Sequence, residues 1–354
     1  MKNTPQVSIV VACRNEASHI EAFLDSLLAQ DLPESAWEAI LADGMSDDGT
    51  CVILNCYAAR NPQLRVVANP RRIVSTGLNA AIRAARGEII LRMDAHTRYA
   101  ADYCRCCLET LERTGAENVG GPARTESRGL RARAIAAAFH SRFSTGGTRF
   151  HDVTYEGWVD TVPYGCWYKS TLDRIGLFDE ELVRNQDDEL NLRLTRAGGR
   201  VWQDPGICSW YSSRSKLLNL FRQYLQYGFW KVAVIRKHRM PASWRHLIPV
   251  VFLIVNLILL AGLAVSHVAG AADWYKPLVI ATISVIGTYI SATLAASIFA
   301  AQRNGWALLP YLPAVFVTFH LSYGVGFLAG LIHFSRPSPR HKPTADSAFA
   351  RMSR

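Results

Sequence analysis

The stretch "EIILRMDAHTRY", residues 88–99, begins as an apolar strand and stops at the polar triplet Asp94-Ala95-His96. A carboxylate and an imidazole two residues apart, at the end of a buried strand, have two explanations. In the first, the strand ends in solvent and Asp94 only caps the structure that follows. In the second, Asp94 and His96 hold a charged ligand, and other polar residues should converge on them.

Four apolar strands alternate with helices in the first 100 residues, and "EIILRMDA" is the fourth of them. The other three are "VSIVVAC" (7–13), "WEAILADG" (37–44) and "LRVVANP" (64–70). Continuous apolar runs are typical of strands that are covered on both faces. Because strand and helix alternate, the pattern predicts an α/β fold with a doubly wound, mostly parallel sheet. Ser75 is expected to cap the third helix.

Polar residues follow three of these strands at their carboxyl ends, where ligands bind in such sheets. They are Asn15-Glu16 after the first strand, Asp43-Gly44 after the second and Asp94-Ala95-His96 after the fourth. Three polar groups on one edge favour the ligand explanation. No GxGxxG motif follows the first strand and the sequence has no GxxxxGK[ST] motif, which argues against dinucleotide-binding and P-loop sites.

The chain changes character near residue 247. Between Leu247 and Phe334 the only Asp, Glu, Lys or Arg residues are Asp273, Lys276 and Arg303. A membrane-spanning helix needs about 20 mainly apolar residues. Three spans are predicted, at about 247–267, 277–301 and 307–333. Pro310 and Pro313 lie near the start of the third segment, which could span the membrane or re-enter it.

The residues outside the spans predict the membrane topology. "MKNTPQVSIVVAC" has too short an apolar run for a secretory signal, so the region before the spans is expected in the cytoplasm. A basic cluster at 236–245 precedes the first span, as is typical of cytoplasmic flanks. We therefore predict a multi-pass protein of the inner (cytoplasmic) membrane. The tail at 335–354 is also basic, although three full spans would place it outside.

Cysteines and net charge narrow the possible partners. All eight cysteines precede the spans, where cytosolic thiols stay reduced. "CRCC" (104–107) falls in a predicted helix without a second Cys/His pair at zinc-finger spacing, so ordinary thiols are the interpretation. The net charge of +10 could suggest nucleic acid. With spans downstream, attraction to anionic lipid headgroups explains it more simply, and we expect membrane lipid and no nucleic acid.

Four stretches resemble family 2 glycosyltransferases of the GT-A fold. They are "VSIVVACRNEASHIEAFLDSLLAQ", "LADGMSDDGT", "LNAAIRAARGEIILRMDAH" and "LFDEELVRNQDDELNLRLTRAGGRV". This resemblance covers about residues 7 to 235. The "MDAH" form, "QDDELNLR" and "RQYLQYGFWK" also resemble the membrane-anchored glucosyltransferases of succinoglycan-type exopolysaccharide assembly.

The resemblance gives Asp94 and His96 a specific role. Sugar transfer from a nucleoside diphosphate requires the charge of the leaving group to be neutralised and the acceptor hydroxyl to lose a proton. Asp94 and His96 stand where the family usually has Asp-x-Asp, so they would hold the diphosphate with a divalent metal, Mn²⁺ or Mg²⁺. Because Mg²⁺ prefers oxygen ligands, the imidazole of His96 predicts a preference for Mn²⁺.

The resemblance also implies residues that bind the nucleotide sugar. Asp43 matches the second Asp of the family's Asp-Asp-Gly-Ser pattern and would accept a hydrogen bond from the uracil or the ribose. An ordinary Asp-Gly turn is the alternative. Glu16 could line the same cleft or complement the positive end of the following helix. The expected set is Ala12, Arg14, Glu16, Asp43, Asn79 and Asp94.

The block "RNQDDELNLRL" (184–194) contains the expected general base. The family pattern is Glu-Asp-x-Asp, which places Gln186 on its Glu, Asp187 on its catalytic Asp and Glu189 on its last acid. Asp187 would project from the start of an amphipathic helix and take the proton of the acceptor. The alternative is that Asp187 and Asp188 only complement the helix dipole.

Two regions are expected on the acceptor side. Gly165 and Trp167 suggest a loop and short strand, where the indole could stack on a sugar or simply pack. The amphipathic stretch at 214–246 is expected to lie in the membrane interface. Its Gln223 and Lys231 loosely resemble the Gln-x-x-Arg-Trp motif of processive synthases, although the Arg-Trp is missing. An anchor without substrate contact is the alternative.

These features predict an inverting glycosyltransferase that adds one sugar, expected to come from UDP-glucose, to a polyprenyl-diphosphate-linked glycan in exopolysaccharide biosynthesis. One alternative is a processive polysaccharide synthase, for which two or three spans are too few to form a channel. Another is a catalytically silent membrane partner that binds nucleotide sugar, suggested by Gln186 and His96. The predicted organisation is a GT-A catalytic domain (1–213), an amphipathic segment (214–246), a membrane domain (247–334) and a basic polar tail (335–354).

Overall fold

The structure, a computed structural model, describes residues 4–240 and 243–335. These residues form two compact units. The sheet unit contains residues 4–126 and 148–212, and the helical unit contains 127–147, 213–240 and 243–335.

The strands all lie in the sheet unit. They are β1 (Val7–Cys13), β2 (Trp37–Asp43), β3 (Leu64–Ala68), β4 (Ile89–Met93), β5 (Thr97–Tyr99), β6 (Asn118–Gly120), β7 (Thr125–Glu126), β8 (Gly157–Val159), β9 (Cys166–Tyr168), β10 (Val201–Gln203) and β11 (Ser209–Ser212). The helices are α1 (Ile20–Leu28), α2 (Thr50–Arg60), α3 (Val74–Ala84), α4 (Tyr103–Thr114), α5 (Leu130–Phe139), α6 (Arg142–Thr145), α7 (Lys169–Ile175), α8 (Gln186–Arg196), α9 (Leu217–His238), α10 (Ile248–Val268), α11 (Ala272–Asn304) and α12 (Leu312–Ser335).

The main sheet has the strand order β3-β2-β1-β4-β9-β6-β10-β8. The four strands β1 to β4 are parallel to one another. β9 runs antiparallel to β4 and β6, and β8 runs antiparallel to β10. The mostly parallel sheet expected from the sequence is therefore confirmed. A smaller sheet has the order β5-β11-β7.

Helices cover both faces of this sheet, which explains why β1 is a continuous apolar run. Ile9 and Val11 lie in one core with Leu24 of α1. Val10, which points to the opposite face, lies in a second core with Leu78 of α3. A strand buried on both faces carries mainly apolar side chains. Ser8, the polar residue of β1, is buried and donates a hydrogen bond to Glu38 (2.8 Å).

The start of α3 differs from the prediction. Ser75 lies inside the first turn, and its hydroxyl donates a hydrogen bond to the backbone carbonyl of Leu182 (2.7 Å). The residue before the helix is Ile73, which has an extended backbone and no side-chain cap. The prediction that Ser75 caps this helix was therefore wrong, because its hydroxyl is used in a contact more than 100 residues away along the chain.

The predicted helix that contains "CRCC" is confirmed as α4. Cys104 and Cys107 are buried in its inner face. Burial raises the pKa of both thiols well above the ordinary value, because the thiolate would lose its hydration. The protonated form is therefore favoured, which agrees with the interpretation as ordinary thiols.

The helical unit contains three helices that are long and apolar enough to cross a membrane. By length and composition they are Trp244–Val268, Asp273–Asn304 and Leu312–Ser335. They coincide with the three predicted spans. The third is one continuous helix because Pro310 precedes it and Pro313 lies in its first turn, where proline is tolerated. The tail residues 336–354 lie outside the described residues.

Residues 127–147 belong to the helical unit, although the sequence places them within the catalytic domain (1–213). Ala134, Ile135 and Ala138 of α5 are buried in one core with Phe316 of α12. A guanidinium nitrogen of Arg133 also donates to the backbone carbonyl of Asn304 (3.3 Å). Apolar burial and this contact explain the grouping. The sheet unit ends at Ser212.

The two units carry opposite net charges. Among the described residues, the sheet unit has 27 acidic and 19 basic side chains, counting only Asp, Glu, Lys and Arg. The helical unit has 14 basic side chains and one acidic one, Asp273. The positive charge of the chain is thus concentrated beside the candidate spans, where anionic lipid headgroups would attract it.

Helices α9 and α12 are in close contact within the helical unit. A Cβ atom added to Gly326 would lie 2.0 Å from the backbone oxygen of Leu225, and one added to Gly228 would lie 2.1 Å from that of Tyr323. Small residues allow two helix backbones to approach in this way. Part of the apolar face of α9, expected to lie in the membrane interface, is therefore covered by α12.

The contact between α9 and α12 predicts the effect of Gly326→Ala. The added methyl group would collide with the α9 backbone, and such overpacking costs about 1–3 kcal/mol. We expect a lower unfolding temperature in detergent. Gly287→Ala in α11 is the matched control, because a Cβ there has no neighbour within 4 Å. Equal stability of the two variants would contradict the close contact.

Candidate active site

The register of the parallel strands brings three polar loops to one edge of the sheet. Cys13, the last residue of β1, pairs with Asp43, the last residue of β2. On the other side of β1, Val11 pairs with Met93, the last residue of β4. Because all three strands run in the same direction, the loops that begin after them leave the sheet side by side.

Asp94, His96 and Glu16 meet at this edge. The Nδ1 atom of His96 lies 3.1 Å from Oδ1 of Asp94 and 3.7 Å from Oε1 of Glu16. The hydroxyl of Tyr99 accepts a hydrogen bond from the backbone N–H of Asp94 (2.7 Å), which fixes the end of the strand. The structure therefore places the carboxylate and the imidazole of the "DAH" triplet together, with a second carboxylate beside them.

Asp43 is buried in the neighbouring loop. Its Oδ1 accepts a hydrogen bond from the hydroxyl of Ser46 (2.5 Å), and its Oδ2 accepts one from the backbone N–H of Ser46 (3.1 Å). Each carboxylate oxygen has a further lone pair. Asp43 is thus oriented by its own turn and retains acceptor capacity for a ligand.

Hydrogen bonds join the loop after β1 to the loop after β2. The hydroxyls of Ser46 and Thr50 accept from the backbone N–H groups of Asn15 (2.9 Å) and Glu16 (2.7 Å). Asp48 accepts from the backbone N–H of Ala17 (3.0 Å). These bonds hold Glu16 and Asp43 in fixed relative positions. The sequence motif contains these polar residues but does not reveal that they serve as such links.

The edge is strongly acidic. Burial raises the pKa of the Cys13 thiol, and the nearby carboxylates of Asp43, Glu16 and Asp94 raise it further because they repel a thiolate. The thiol of Cys13 therefore interacts electrostatically with all three carboxylates. A cation bound beside these carboxylates would be stabilised by their negative charge.

The pair Asp94–His96 fits a small divalent cation. Two ligand atoms 3.1 Å apart can occupy neighbouring positions of an octahedron whose bonds are about 2.1 Å long. Among the described residues, no group of three or more His, Cys, Asp or Glu side chains is arranged to hold a metal ion. A cation held by Asp94 and His96 would therefore have positions left for phosphate oxygens or water.

Asp187 lies in the first turn of α8, as expected, and forms an ion pair with Arg92 of β4. Burial raises the pKa of the Asp187 carboxyl above its usual value, and the negative charges of Asp188 and Asp94 act in the same direction. The Arg92 guanidinium opposes this shift. A base with a raised pKa binds a proton more strongly.

Glu189, the last acid of the "QDDE" block, serves a different purpose. It is fully buried, and Arg193 donates to both of its carboxylate oxygens (2.8 and 2.9 Å). Arg193 also donates to the backbone carbonyls of Ile175 (2.6 Å) and Leu177 (2.7 Å). This pair therefore anchors the loop before Phe178, a role that the motif alone does not indicate.

Asn79 is not placed as a nucleotide-binding residue. Its side chain is buried, and its amide nitrogen donates to the backbone carbonyl of Phe178 (2.8 Å) and to Glu180 (3.0 Å). Its oxygen accepts from the backbone N–H of Phe178 (3.0 Å). Both donors are used in these bonds. Asn79 thus joins α3 to the segment that contains Phe178.

Trp167 is a core residue, which decides between the two interpretations of this aromatic. Its side chain is 1% exposed and lies edge-on to Phe178, with ring centroids 6.2 Å apart. A stacking platform for a sugar needs an exposed ring. Gly165 is required beside it, because its φ of +104° is in the region that favours glycine and a Cβ would lie 2.3 Å from the indole.

The remaining predicted residues lie in both units. Ala12 pairs with Ala42 in the sheet, and the Arg14 side chain crosses Gly44, where a Cβ would lie 2.9 Å from Cβ of Arg14. Two predicted acceptor-side residues lie in the helical unit. Gln223 accepts from Arg214 (3.3 Å) and donates to the hydroxyl of Tyr227 (3.1 Å), whereas Lys231 is 3% exposed.

Strained backbone marks the same loops. Four non-glycine residues with positive φ lie within two positions of predicted site residues. They are Asn15 (+55°), Met45 (+57°), Tyr164 (+63°) and Asn185 (+61°). Such conformations cost free energy and cluster at functional sites. They lie one or two positions from Glu16, Asp43, Gly165 and Asp187, and two others, Arg72 and Arg239, lie away from the predicted site residues.

Comparisons with known proteins show which family the chain resembles. Residues 8–174 match the family model of glycosyl transferase family 2. The chain is 30% identical over 332 residues to the succinoglycan biosynthesis protein ExoA of Rhizobium meliloti (strain 1021), covering 93% of this chain and 96% of that protein. It is 28% identical over 335 residues to the dolichyl N-acetyl-alpha-D-glucosaminyl phosphate 3-beta-D-2,3-diacetamido-2,3-dideoxy-beta-D-glucuronosyltransferase of Methanococcus voltae, covering 92% and 97%.

A solved structure has the same fold. The mannosyltransferase PcManGT from Pyrobaculum calidifontis, in complex with GDP-Man and Mn²⁺, superposes with a TM-score of 0.58 at 21% identity, covering 92% of this chain and 87% of that chain. The chain therefore has the GT-A fold. The chain belongs to the family 2 glycosyltransferases, and it is a glycosyltransferase.

Gly165→Ala tests the backbone next to Trp167. The methyl group would collide with the indole in addition to straining φ, so we expect a lower unfolding temperature than for Gly198→Ala. Gly198 also has a positive φ (+85°), but a Cβ there has no neighbour within 4 Å. The difference should be about 1–3 kcal/mol. Thermal unfolding checks this, and two equally stable variants would show that Trp167 does not constrain Gly165.

Proposed function

We propose that this protein is an inverting glycosyltransferase that adds one sugar from a nucleotide sugar to a lipid-linked glycan in exopolysaccharide biosynthesis. The observation that carries the proposal is the sheet edge where Asp94, His96 and Glu16 meet, with Asp43 in the neighbouring loop. Beside this edge, the carboxylate of Asp187 forms an ion pair with Arg92 of β4, the strand that Asp94 follows. The succinoglycan relative supports the exopolysaccharide context, and the dolichyl relative supports a lipid-linked acceptor.

The reaction is a single displacement at C1 of the donor sugar. The oxygen of the acceptor hydroxyl forms a bond to C1 while the bond from C1 to the diphosphate oxygen breaks, and the electron pair leaves with the diphosphate. The proton of the acceptor passes to the Asp187 carboxylate. Attack from the side opposite the diphosphate inverts the configuration at C1. Because only the ionised carboxylate accepts a proton, activity should rise with pH through the raised pKa of Asp187.

The donor is positioned by the loops after the parallel strands. Asp43 accepts a hydrogen bond from the uracil or the ribose, and Ala12, Arg14 and Glu16 line the cleft. Asp94 and His96 would hold a divalent cation, which would neutralise the charge of the diphosphate. UDP-glucose is the donor we propose, from the resemblance of the motifs.

The acceptor is a polyprenyl-diphosphate-linked glycan that reaches the enzyme at the membrane. The three candidate spans and the strongly basic helical unit support an integral membrane protein with several spans. We place the sheet unit in the cytoplasm, where nucleotide sugars are made. Gly165, Gln223 and Lys231 are proposed on the acceptor side. Trp167 is buried in the core and is not proposed to contact the acceptor.

Asp187→Asn should remove the base with little change in shape. With membranes that contain the full chain, a panel of labelled UDP- and GDP-sugars and extracted lipid acceptor, we expect transfer to fall by about 10²–10⁴-fold. Asp188→Asn is the matched control because it changes the adjacent carboxylate, and it should retain most of the activity. The measurement is the labelled lipid product, separated by chromatography.

Three outcomes of the same assay would contradict the proposal. Near wild-type transfer by Asp187→Asn would exclude Asp187 as the base. A ladder of long polymer would support a processive synthase. No transfer by the wild-type protein with any donor of the panel would support a catalytically silent membrane partner.

His96→Ala tests the proposed metal pair. Loss of one of two protein ligands should weaken Mn²⁺ binding by at least about tenfold and reduce the preference of the reaction for Mn²⁺ over Mg²⁺, which favours oxygen ligands. The measurement is the metal concentration that gives half-maximal transfer after removal of bound metal by a chelator. Unchanged values for both metals would show that His96 is not a ligand.

A further inference from the structure

Arg92 is an unusual residue for the position that it occupies. It lies in β4, two residues before Asp94, and its side chain is 6% exposed. A buried guanidinium without a partner costs several kcal/mol, because it loses its hydration. Such a residue in the interior of a sheet therefore needs a specific counter-charge.

The counter-charge is Asp187. Nη1 of Arg92 donates to Oδ1 of Asp187, and both Asp187 and Asp94 favour the charged form of the guanidinium. The Asp187 side chain is 32% exposed, whereas that of Arg92 is almost fully enclosed. The pair thus has an inner end, the guanidinium, and an outer end, the carboxylate.

Two aromatic rings restrict the guanidinium. Its carbon lies 5.9 Å from the ring centroid of Tyr164 and 5.8 Å from that of Phe178, within the range of cation–π attraction. The Arg92 backbone N–H donates to the carbonyl of Gly165 (3.0 Å). The backbone of Arg92 is therefore fixed in the sheet, and its guanidinium is flanked by two aromatic rings.

Both rings are themselves held in place. Asn79 hydrogen-bonds the backbone of Phe178 in both directions, at 2.8 and 3.0 Å. The hydroxyl of Tyr164 is hydrogen-bonded to that of Thr97 (2.6 Å). Asn79 and Thr97 thus hold in place the two segments whose rings flank Arg92.

We propose that Arg92 is a positioning residue that fixes the Asp187 carboxylate in the orientation needed for proton transfer. This inference rests on the proposed function. Arg92 binds Oδ1, which leaves Oδ2 to take the acceptor proton as the oxygen of the acceptor forms its bond to C1 and the diphosphate departs. Because Arg92 is enclosed, it acts through Asp187 and does not touch the substrate.

The position of Arg92 also explains how two distant parts of the chain are aligned. Arg92 lies in β4, and Asp94 follows the end of the same strand two residues later. Asp94 is placed against the diphosphate, and Arg92 sets Asp187 relative to the same strand. The leaving group and the base are thus positioned by one rigid element, and small errors in such positions cost large factors in rate.

The test compares Arg92→Ala with Asp187→Asn in the full-length protein in membranes. We expect Arg92→Ala to lower kcat by about 10–100-fold, less than complete loss of a general base, and to leave KM for the nucleotide sugar within about twofold, because Asp43 and Asp94 are intact. Millimolar guanidinium should restore part of the activity. A double variant should be no worse than Asp187→Asn, because both changes disable one unit.

Two further variants control the experiment. Arg98→Ala removes an exposed arginine of β5 that pairs with Glu126 (2.7 Å) and should leave kcat unchanged. Arg92→Gln keeps a hydrogen-bond donor of similar length. If Arg92→Ala does not fold, Arg92→Gln should still show normal donor binding with reduced kcat.

The possible failures are distinguishable. If Arg92→Ala keeps full kcat while Asp187→Asn loses it, the role of Arg92 is wrong and the base assignment stands. A rise in KM for the donor without rescue by guanidinium would mean a merely structural role and would also overturn the inference. If Asp187→Asn stays active, the proposed base fails, and the role of Arg92 fails with it.

Discussion

The site depends on the register of three parallel strands. Cys13 pairs with Asp43 across one side of β1, and Val11 pairs with Met93 across the other. Because a parallel sheet ends all of its strands in the same direction, the residues that follow them must share one edge. A shift of β4 by one residue would turn Arg92 to the opposite face of the sheet and displace Asp94, which follows the strand. Every residue of β2 is buried, so the sheet is covered on both faces.

The second constraint is electrostatic. The edge gathers the carboxylates of Glu16, Asp43 and Asp94, and Asp187 approaches from α8. One buried guanidinium, Arg92, balances part of this charge on the inner side. On the outer side, a divalent cation would balance the Asp94 group and the diphosphate. The positive charge of the chain lies elsewhere, in the helical unit beside the candidate spans, where it suits lipid headgroups better than the donor.

The sequence predicted the features that depend on residues close together in the chain. The apolar runs gave the strands and the spans, and the polar ends of the strands indicated the edge where Asp94, His96 and Glu16 meet. Contacts between residues far apart in the chain could not be predicted from the sequence. Asn79 binds Phe178, Ser75 binds Leu182, and Arg92 binds Asp187. Trp167 stands in a three-residue strand, too short for its alternation to reveal whether the ring is buried. The Ala-rich helix α5 carries no signal that assigns it to the helical unit.

The most direct measurement is a structure of the full-length protein with a nucleotide sugar and Mn²⁺. We expect the nucleobase beside Asp43 and the diphosphate and metal beside Asp94 and His96. We also expect Asp187, still paired with Arg92, on the side of C1 opposite the diphosphate. A nucleotide bound away from this edge, or Asp187 on the same side of C1 as the leaving group, would contradict this arrangement.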